Sequence, residues 1–340
     1  MTNEEIEKLY NDHTKELLNK TPIPENDIFP FIEGSPLDYE IKKAFKFYYS
    51  EIKKNIGCDL EPSYIFIGSD RTINAFAAKY KEVNIIGINV GTIRHLYDIF
   101  RINENLKSTL QSRFLKFPAS DLMFETAMNY TFYHELGHLI QKASFSGNKL
   151  TEDVGNYFSL RSHVSEFDAD EFSSILIAGH VAQFSIKNLG DKFSQIDLED
   201  VLITVSTAIL FYLLSFPSSQ SEIYYDEYTH PHPTVRIANI MFVVITHCLS
   251  TLKTYGVNTD IDPDKIVYET MQIAELINDN FFDNSRLATM RNSIKDNVTE
   301  IEDYIAFLKD QKKGDKSMAT FKWNLYAKSI LDSKNIKHNT

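Results

Sequence analysis

The residues best spaced for chemistry lie in one run, Asp121 to Lys142, DLMFETAMNYTFYHELGHLIQK, which carries His134, Glu135 and His138 as H-E-L-G-H. Leu122, Phe124, Met128, Phe132, Leu136, Leu139 and Ile140 recur with a helical period, so the run reads as a largely buried helix. Side chains four apart on a helix stand one turn above each other. Both imidazoles can therefore reach one metal ion at the usual zinc–nitrogen distance of about 2.1 Å. Glu135 is rotated by about 100° from His134, placed to reach a water on that ion without ligating it. A carboxylate there can take the water's proton and later return it to a leaving group. Zinc brings the pKa of such a water toward ~7, so the pattern predicts metal-assisted hydrolysis with Zn2+ as cofactor.

Catalytic zinc ordinarily takes three protein ligands and keeps one position open. A further histidine six positions past His138 is excluded, because Gln141 and Ser144 stand where that pattern needs Gly and His. The next candidate is SEFDADEFSSILIAGH, Ser165 to His180. Ser165 followed by Asp168 reads as a helix-capping pair, which starts a second amphipathic helix and sets Glu166 and Asp170 one turn apart on the same face. Glu166 is then the expected third ligand. Asp170 is the expected acceptor of the second N–H of a ligating histidine, His134 first. The rivals are Asp168, Asp170, Glu171 and His163. Asp168 has an explanation as the cap partner, Glu171 as a solvated charge, and His163 as a surface residue in a loop before the cap.

These groups need a scaffold, and the chain supplies mostly helix. Residues 3 to 19 read as a short polar helix, and residues 21 to 36, with Pro22, Pro24, Pro30 and Pro36, as an extended connector. Leu37 to Lys54 returns to a helical period. Tyr64 to Gly68, Ile73 to Ala78 and Val83 to Val90 are short, β-branched and aromatic, and predict one small sheet. After Thr92 the pattern is helical, with loops near 143–155 and 217–232. Leu287, Met290, Ile294, Val298, Ile301, Ile305 and Leu308 form a narrow apolar seam on one further helix. That seam can lie against its own domain or serve as a homo-oligomer contact. Asp310 to Ser317 reads as a linker to a last helix around Trp323.

The bulk composition narrows the setting. A chain of 340 residues holds one large domain or two ordinary ones, and 43% apolar with 24% charged residues is a soluble globular profile. A net charge of −12 argues against a nucleic-acid partner. Cys58 and Cys248 cannot make a disulfide framework, which fits a reducing, cytoplasmic compartment. MTNEEIEKLY has none of the apolar core of a secretory signal. The longest apolar run, Val201 to Phe216, falls short of the ~20 residues a membrane span needs. It reads as a buried core helix, with no membrane span expected and membrane association as the alternative.

At this point the chain resembles the gluzincin metallopeptidases, in particular the HtpX and CAAX prenyl endopeptidase group, whose helix pair reads H-E-x-x-H and then E-x-x-A-D. Here these are His134 to His138 and Glu166 to Asp170. Ile73 to Ala77, INAFA, resembles that group's N-A-F edge strand, and Thr229 to Ile237, THPHPTVRI, its T-H-P-x-P-x-x-R-I signature. The matching order covers about Tyr64 to Met241, roughly half of the chain, while that group's membrane helices have no counterpart here. A soluble chain with THPHP is also similar to the Lit-type phage-exclusion peptidases, whose members cut elongation factor Tu inside bacteria.

The resemblance implies an α+β, mostly helical zincin-like metallopeptidase domain, with a small sheet beside the zinc-binding helix and extra helices at both ends. The expected division is residues 1–60, N-terminal helices and connector; 61–255, the peptidase core; and 256–340, a C-terminal helical segment. It implies a zinc-dependent endopeptidase acting on an intracellular protein or peptide, with a role in phage defence. His230 would face the oxyanion, Arg236 would support the ligands or bind substrate, and Asn74 would hold substrate backbone. Tyr224, Tyr225 and Tyr228 are further phenolic donors near His230, among which the sequence does not choose. The competing reading is a zinc-containing regulatory or binding protein without proteolytic activity.

Overall fold

The computed structural model describes residues 1–32, 34–54, 58, 60–103, 106, 118–142, 158–188, 194–216, 222–278 and 285–338. The chain forms two compact units, Met1–His95 with Phe132–Val154 and Lys312–Thr340, and Leu96–Thr131 with Gly155–Gln311. Among the described residues, helices make up 71% of the structure and accompany one three-stranded sheet, an α+β composition as expected. The loop predicted near 143–155 lies outside the described residues.

In the first unit, α1 (Asn3–Lys20) opens on a reciprocal cap. The Thr2 hydroxyl accepts from Glu5 N–H, and the Glu5 carboxylate accepts from Thr2 N–H. α2 (Pro36–Lys53) starts behind a Ser35 cap with proline at its first position. The strands are β1 (Ser63–Gly68), β2 (Ala75–Tyr80) and β3 (Val83–Asn89), in the order β1-β3-β2. β1 runs parallel to β3 and β2 antiparallel to it. Leu17, Tyr64, Phe66, Ala78, Val83 and Ile85 close one face of the sheet under Ile23 and Ile28.

The two edges of this sheet differ. The proline-rich connector covers β1, where Phe29 N–H donates to Ile67 O and Ser69 N–H to Asp27 O. On the other side Asn89 N–H donates to Asn74 O. The antiparallel alternation then turns the N–H and C=O of Ala75, Ala77 and Lys79 toward the outer edge of β2. Among the described residues no strand pairs with that edge. Gly91 secures the approach to β2, since a Cβ there would meet Arg71 O at 2.1 Å.

His13 of α1 accepts the Ile65 N–H on its Nε2 at 3.0 Å and packs against Phe45, Tyr49 and Tyr64. Burial, with Lys53 adding to it, lowers its pKa to about 4. The folded state therefore holds the neutral ring, while the unfolded chain takes up a proton below about pH 6.5. The stability from this site is complete above that pH and is lost as pH falls toward 4, amounting to about 3 kcal/mol. Urea unfolding from pH 7 to 4 should show this extra loss in wild type and not in His13→Phe. Parallel slopes would refute it.

The second unit is helical. Its long elements are α5 (Leu160–Asn188), α6 (Gln195–Leu214), α7 (Pro233–Thr254) and α8 (Pro263–Asn278). α5 lies along α7, and α6 packs against α7 and α8. Every residue from Val201 to Leu214 is buried, so the longest apolar run is a core helix. Among the described helices Pro233–Thr254 is long and apolar enough to cross a membrane by length and composition, and just over half of its apolar window is buried in the protein.

Three local expectations are corrected. α5 begins at Leu160, not at Ser165, because Ser159 supplies the cap: its hydroxyl accepts the Ser162 N–H and its carbonyl the His163 N–H. Asp168 is accordingly fully buried inside α5 rather than a cap partner, and His163 is a buried helical residue rather than a surface one. The seam from Leu287 to Leu308 is two helices, α9 (Ser285–Asp296) and α10 (Val298–Lys312). They meet at Asn297, whose side chain donates to Ser293 O while its carbonyl receives the Ile301 N–H. Leu287, Met290, Ile301 and Leu308 are buried within the chain. The final helix α11 (Ala319–His338) follows a turn at Gly314, as predicted.

Candidate metal centre

The H-E-L-G-H run sits on α4 (Ala119–Lys142), one uninterrupted helix that follows α3 (Val90–Leu96) and a π-helical turn, Tyr97–Arg101. Several side chains hold its second half within the first unit. The Tyr133 hydroxyl donates to Glu51 of α2 at 3.1 Å, and Phe132 stacks on Tyr48 at 4.5 Å. Lys322 of α11 donates to Ile140 O at 2.6 Å, a cation at the helix end whose carbonyls favour one. Lys142, one turn beyond His138, donates to Ala77 O on the outer edge of β2 at 2.7 Å. The H-E-L-G-H helix and the strand edge are thus joined by a direct hydrogen bond.

His134 and His138 are buried and converge as the spacing predicts, with their Nε2 atoms 3.1 Å apart. Two nitrogens on a tetrahedral zinc ion stand roughly 3.3 Å apart given the usual bond length. The pair therefore fits a shared ion. Gln141 Oε1 lies 3.1 Å from His138 Nδ1. An amide oxygen only accepts, so Nδ1 carries the proton and Nε2 presents its lone pair, the form a metal requires. Sequence reasoning passed over Gln141 as a negative sign at a position where another ligand set has glycine. Its distance of three residues from His138 was the available signal.

On α5, Glu166 and Asp170 lie one turn apart and both are buried. Arg236, near the start of α7, grips Asp170 through two hydrogen bonds, Nε to Oδ2 at 2.7 Å and Nη2 to Oδ1 at 2.8 Å. It also stands 3.8 Å from Glu166 Oε2. Burial works against the Arg236 charge, but Asp170, Tyr130 and Glu166 together outweigh it, and the guanidinium is held well above its ordinary pKa. The Tyr130 hydroxyl, itself pushed well above its ordinary pKa by burial and then by Asp170, donates to Asp170 Oδ1 at 2.6 Å. Tyr130 and Asp170 thus link the first half of α4 to α5 within the second unit. Ligand atoms of His134, His138 and Glu166 all lie within 4.8 Å of one another, a group able to hold a metal ion. Glu135 is buried in the same stretch.

The downstream signature reaches the same place. His230 Nε2 is 3.4 Å from Glu166 Oε1, and its Nδ1 is 2.9 Å from the Thr229 hydroxyl. His232, by contrast, is the cap of α7, accepting the Thr234 N–H on Nδ1. Tyr224 packs on Tyr228 and His232. Asn74 is held through its backbone: its N–H donates to the Thr92 hydroxyl, and its carbonyl accepts from Thr92 and Asn89. Its position just ahead of β2 fixes the register of the open edge. Compared with protein-family models, curated proteins and solved structures, the chain matches none.

Proposed function

We propose that this chain is a zinc-dependent endopeptidase of the zincin-like, gluzincin type, acting inside the cell on an extended segment of a protein substrate. What carries the reading is the pair of imidazole Nε2 atoms 3.1 Å apart with Glu135 between them in sequence. The donor set of two imidazoles and a carboxylate suits zinc, with His134, His138 and Glu166 as the residues that would hold it. Bound there, zinc supplies Lewis-acid polarisation of a carbonyl and lowers the pKa of water at its open position.

The chain's own residues do the rest. Glu135 accepts the proton of the attacking water and delivers it to the leaving amine. His230, turned toward Glu166, is the candidate donor to the oxyanion that develops on the scissile carbonyl. Arg236 holds Asp170 through two hydrogen bonds and stands beside Glu166. The outward N–H and C=O groups of Ala75 and Lys79 offer a peptide the pairing of an added strand. A role in phage defence follows from the resemblance of THPHP to the phage-exclusion peptidases.

The reading is tested by incubating the zinc-loaded protein with a proteome-derived peptide and protein mixture and counting new N-termini. New termini that vanish with 1,10-phenanthroline and return on adding zinc are expected. Termini unchanged by the chelator would remove the metal from the chemistry. An absence of new termini in every mixture, with zinc bound, would favour a zinc-containing binding protein.

A further inference from the structure

The second unit holds a chain of short polar contacts that the chemistry above does not use. It joins α5 and α10 to the segment carrying His230. His163 is fully buried on α5, one turn before Glu166. Its Nε2 lies 2.6 Å from Tyr228 O and its Nδ1 2.6 Å from the Tyr304 hydroxyl of α10. That hydroxyl lies in turn 2.7 Å from Tyr225 O. Two backbone carbonyls of one segment, 225 and 228, are thus gripped from two helices by one imidazole and one phenol. Tyr225 also packs its ring on Tyr304 at 5.0 Å. Two residues beyond Tyr228 stands His230, facing Glu166.

We infer that His163 and Tyr304 are positioning residues that set the segment 225–230, and with it His230, against Glu166. Both carbonyls only accept, so His163 donates its Nε2–H to Tyr228 O, and the Tyr304 hydroxyl stands between Tyr225 O and His163 Nδ1. Groups of both signs face the ring. Glu166 on its own helix and Asp226 on the gripped segment favour its charge, while His230 on that segment and burial oppose it. From α10, Tyr304 is uncharged, its hydroxyl raised by burial and then by Asp226. Burial, the largest influence, wins and lowers the His163 pKa, so the gripped segment holds the neutral ring. The inference deepens the peptidase reading, since it concerns how His230 is held at that site.

Hydrogen exchange of the full-length protein, corrected for intrinsic rates, tests it without using any activity. Protection of residues 222–232 at pH 7.5 should be high in wild type. Tyr304→Phe keeps the ring packing and removes the hydroxyl, and should lower that protection about fivefold to tenfold. His163→Ala removes the donor to Tyr228 O and should lower protection by a similar factor, while His163→Gln, which keeps a donor, should retain part of it. Unchanged protection in Tyr304→Phe or in His163→Ala would overturn the inference. A peptidase assay on the same variants separates the two readings. Loss of protection with no hydrolysis even in wild type sinks only the peptidase reading, and hydrolysis with unaltered protection sinks only the grip.

Discussion

Glu135→Gln should leave the fold and the bound zinc intact and slow hydrolysis by at least about a hundredfold. The substitution preserves size and hydrogen-bonding shape at a buried position on α4, so packing around His134 and His138 need not change. It removes the carboxylate proposed to accept the proton of the attacking water. An amide cannot take that proton, and the remaining donors act only on charge that has already developed. The effect should fall on kcat with little change in KM, because Glu135 has no part in holding the peptide backbone. A Gln variant that retains zinc and cleaves at the wild-type rate would remove the proposed mechanism outright.

The second large effect concerns the buried charges that support the carboxylate ligand. Asp170→Asn should destabilise the protein by about 3–5 kcal/mol, as expected when one member of a buried ion pair loses its charge. Arg236 donates twice to Asp170 and would then keep a positive charge in a buried place beside Glu166. Glu166, drawn toward that unmatched guanidinium, should also hold metal less well, by roughly 10–100-fold. The double variant Asp170→Leu with Arg236→Met should recover most of the stability, because a well-packed apolar pair can replace a buried ion pair at little cost. Chemical unfolding of the four proteins gives the coupling energy directly. A single variant within 0.5 kcal/mol of wild type, or a double variant no better than the singles, would show that the network contributes little.

Most of the scaffold could be read from local pattern, because local pattern decides it. β1, β2 and β3 fall on the three β-branched runs, and Thr2, Ser35 and Pro36 mark helix starts through caps that a few neighbouring residues complete. The failures have the same root. Ser165 and Ser159 are both serines with capping potential, and which one starts α5 depends on burial of the turn between them, where His163 finds partners 65 and 141 residues away. Asn297 breaks the predicted single helix by a bond to Ser293 O that apolar spacing does not register.

The site divides along the same line. His134 and His138 converge because a helix obliges residues four apart to do so, and Glu166 and Asp170 share a face for the same reason. Arg236 reads in sequence as one of several plausible roles, and its bidentate hold on Asp170 appears only once α7 lies along α5. Tyr130 and Gln141 carried no motif, yet each fixes the orientation of a group at the centre. Supporting contacts of this kind are set by tertiary packing, which leaves a weak trace in the order of residues.

The central claim is that His134, His138 and Glu166 hold one zinc ion together. Zinc titration against a competing chelator, with metal analysis of the purified protein, tests it most directly. Wild type should hold about one ion per chain, and Glu166→Ala should bind it more weakly than the roughly 10–100-fold lost with a supporting partner alone. Wild type without zinc affinity, or Glu166→Ala binding as tightly as wild type, would contradict it.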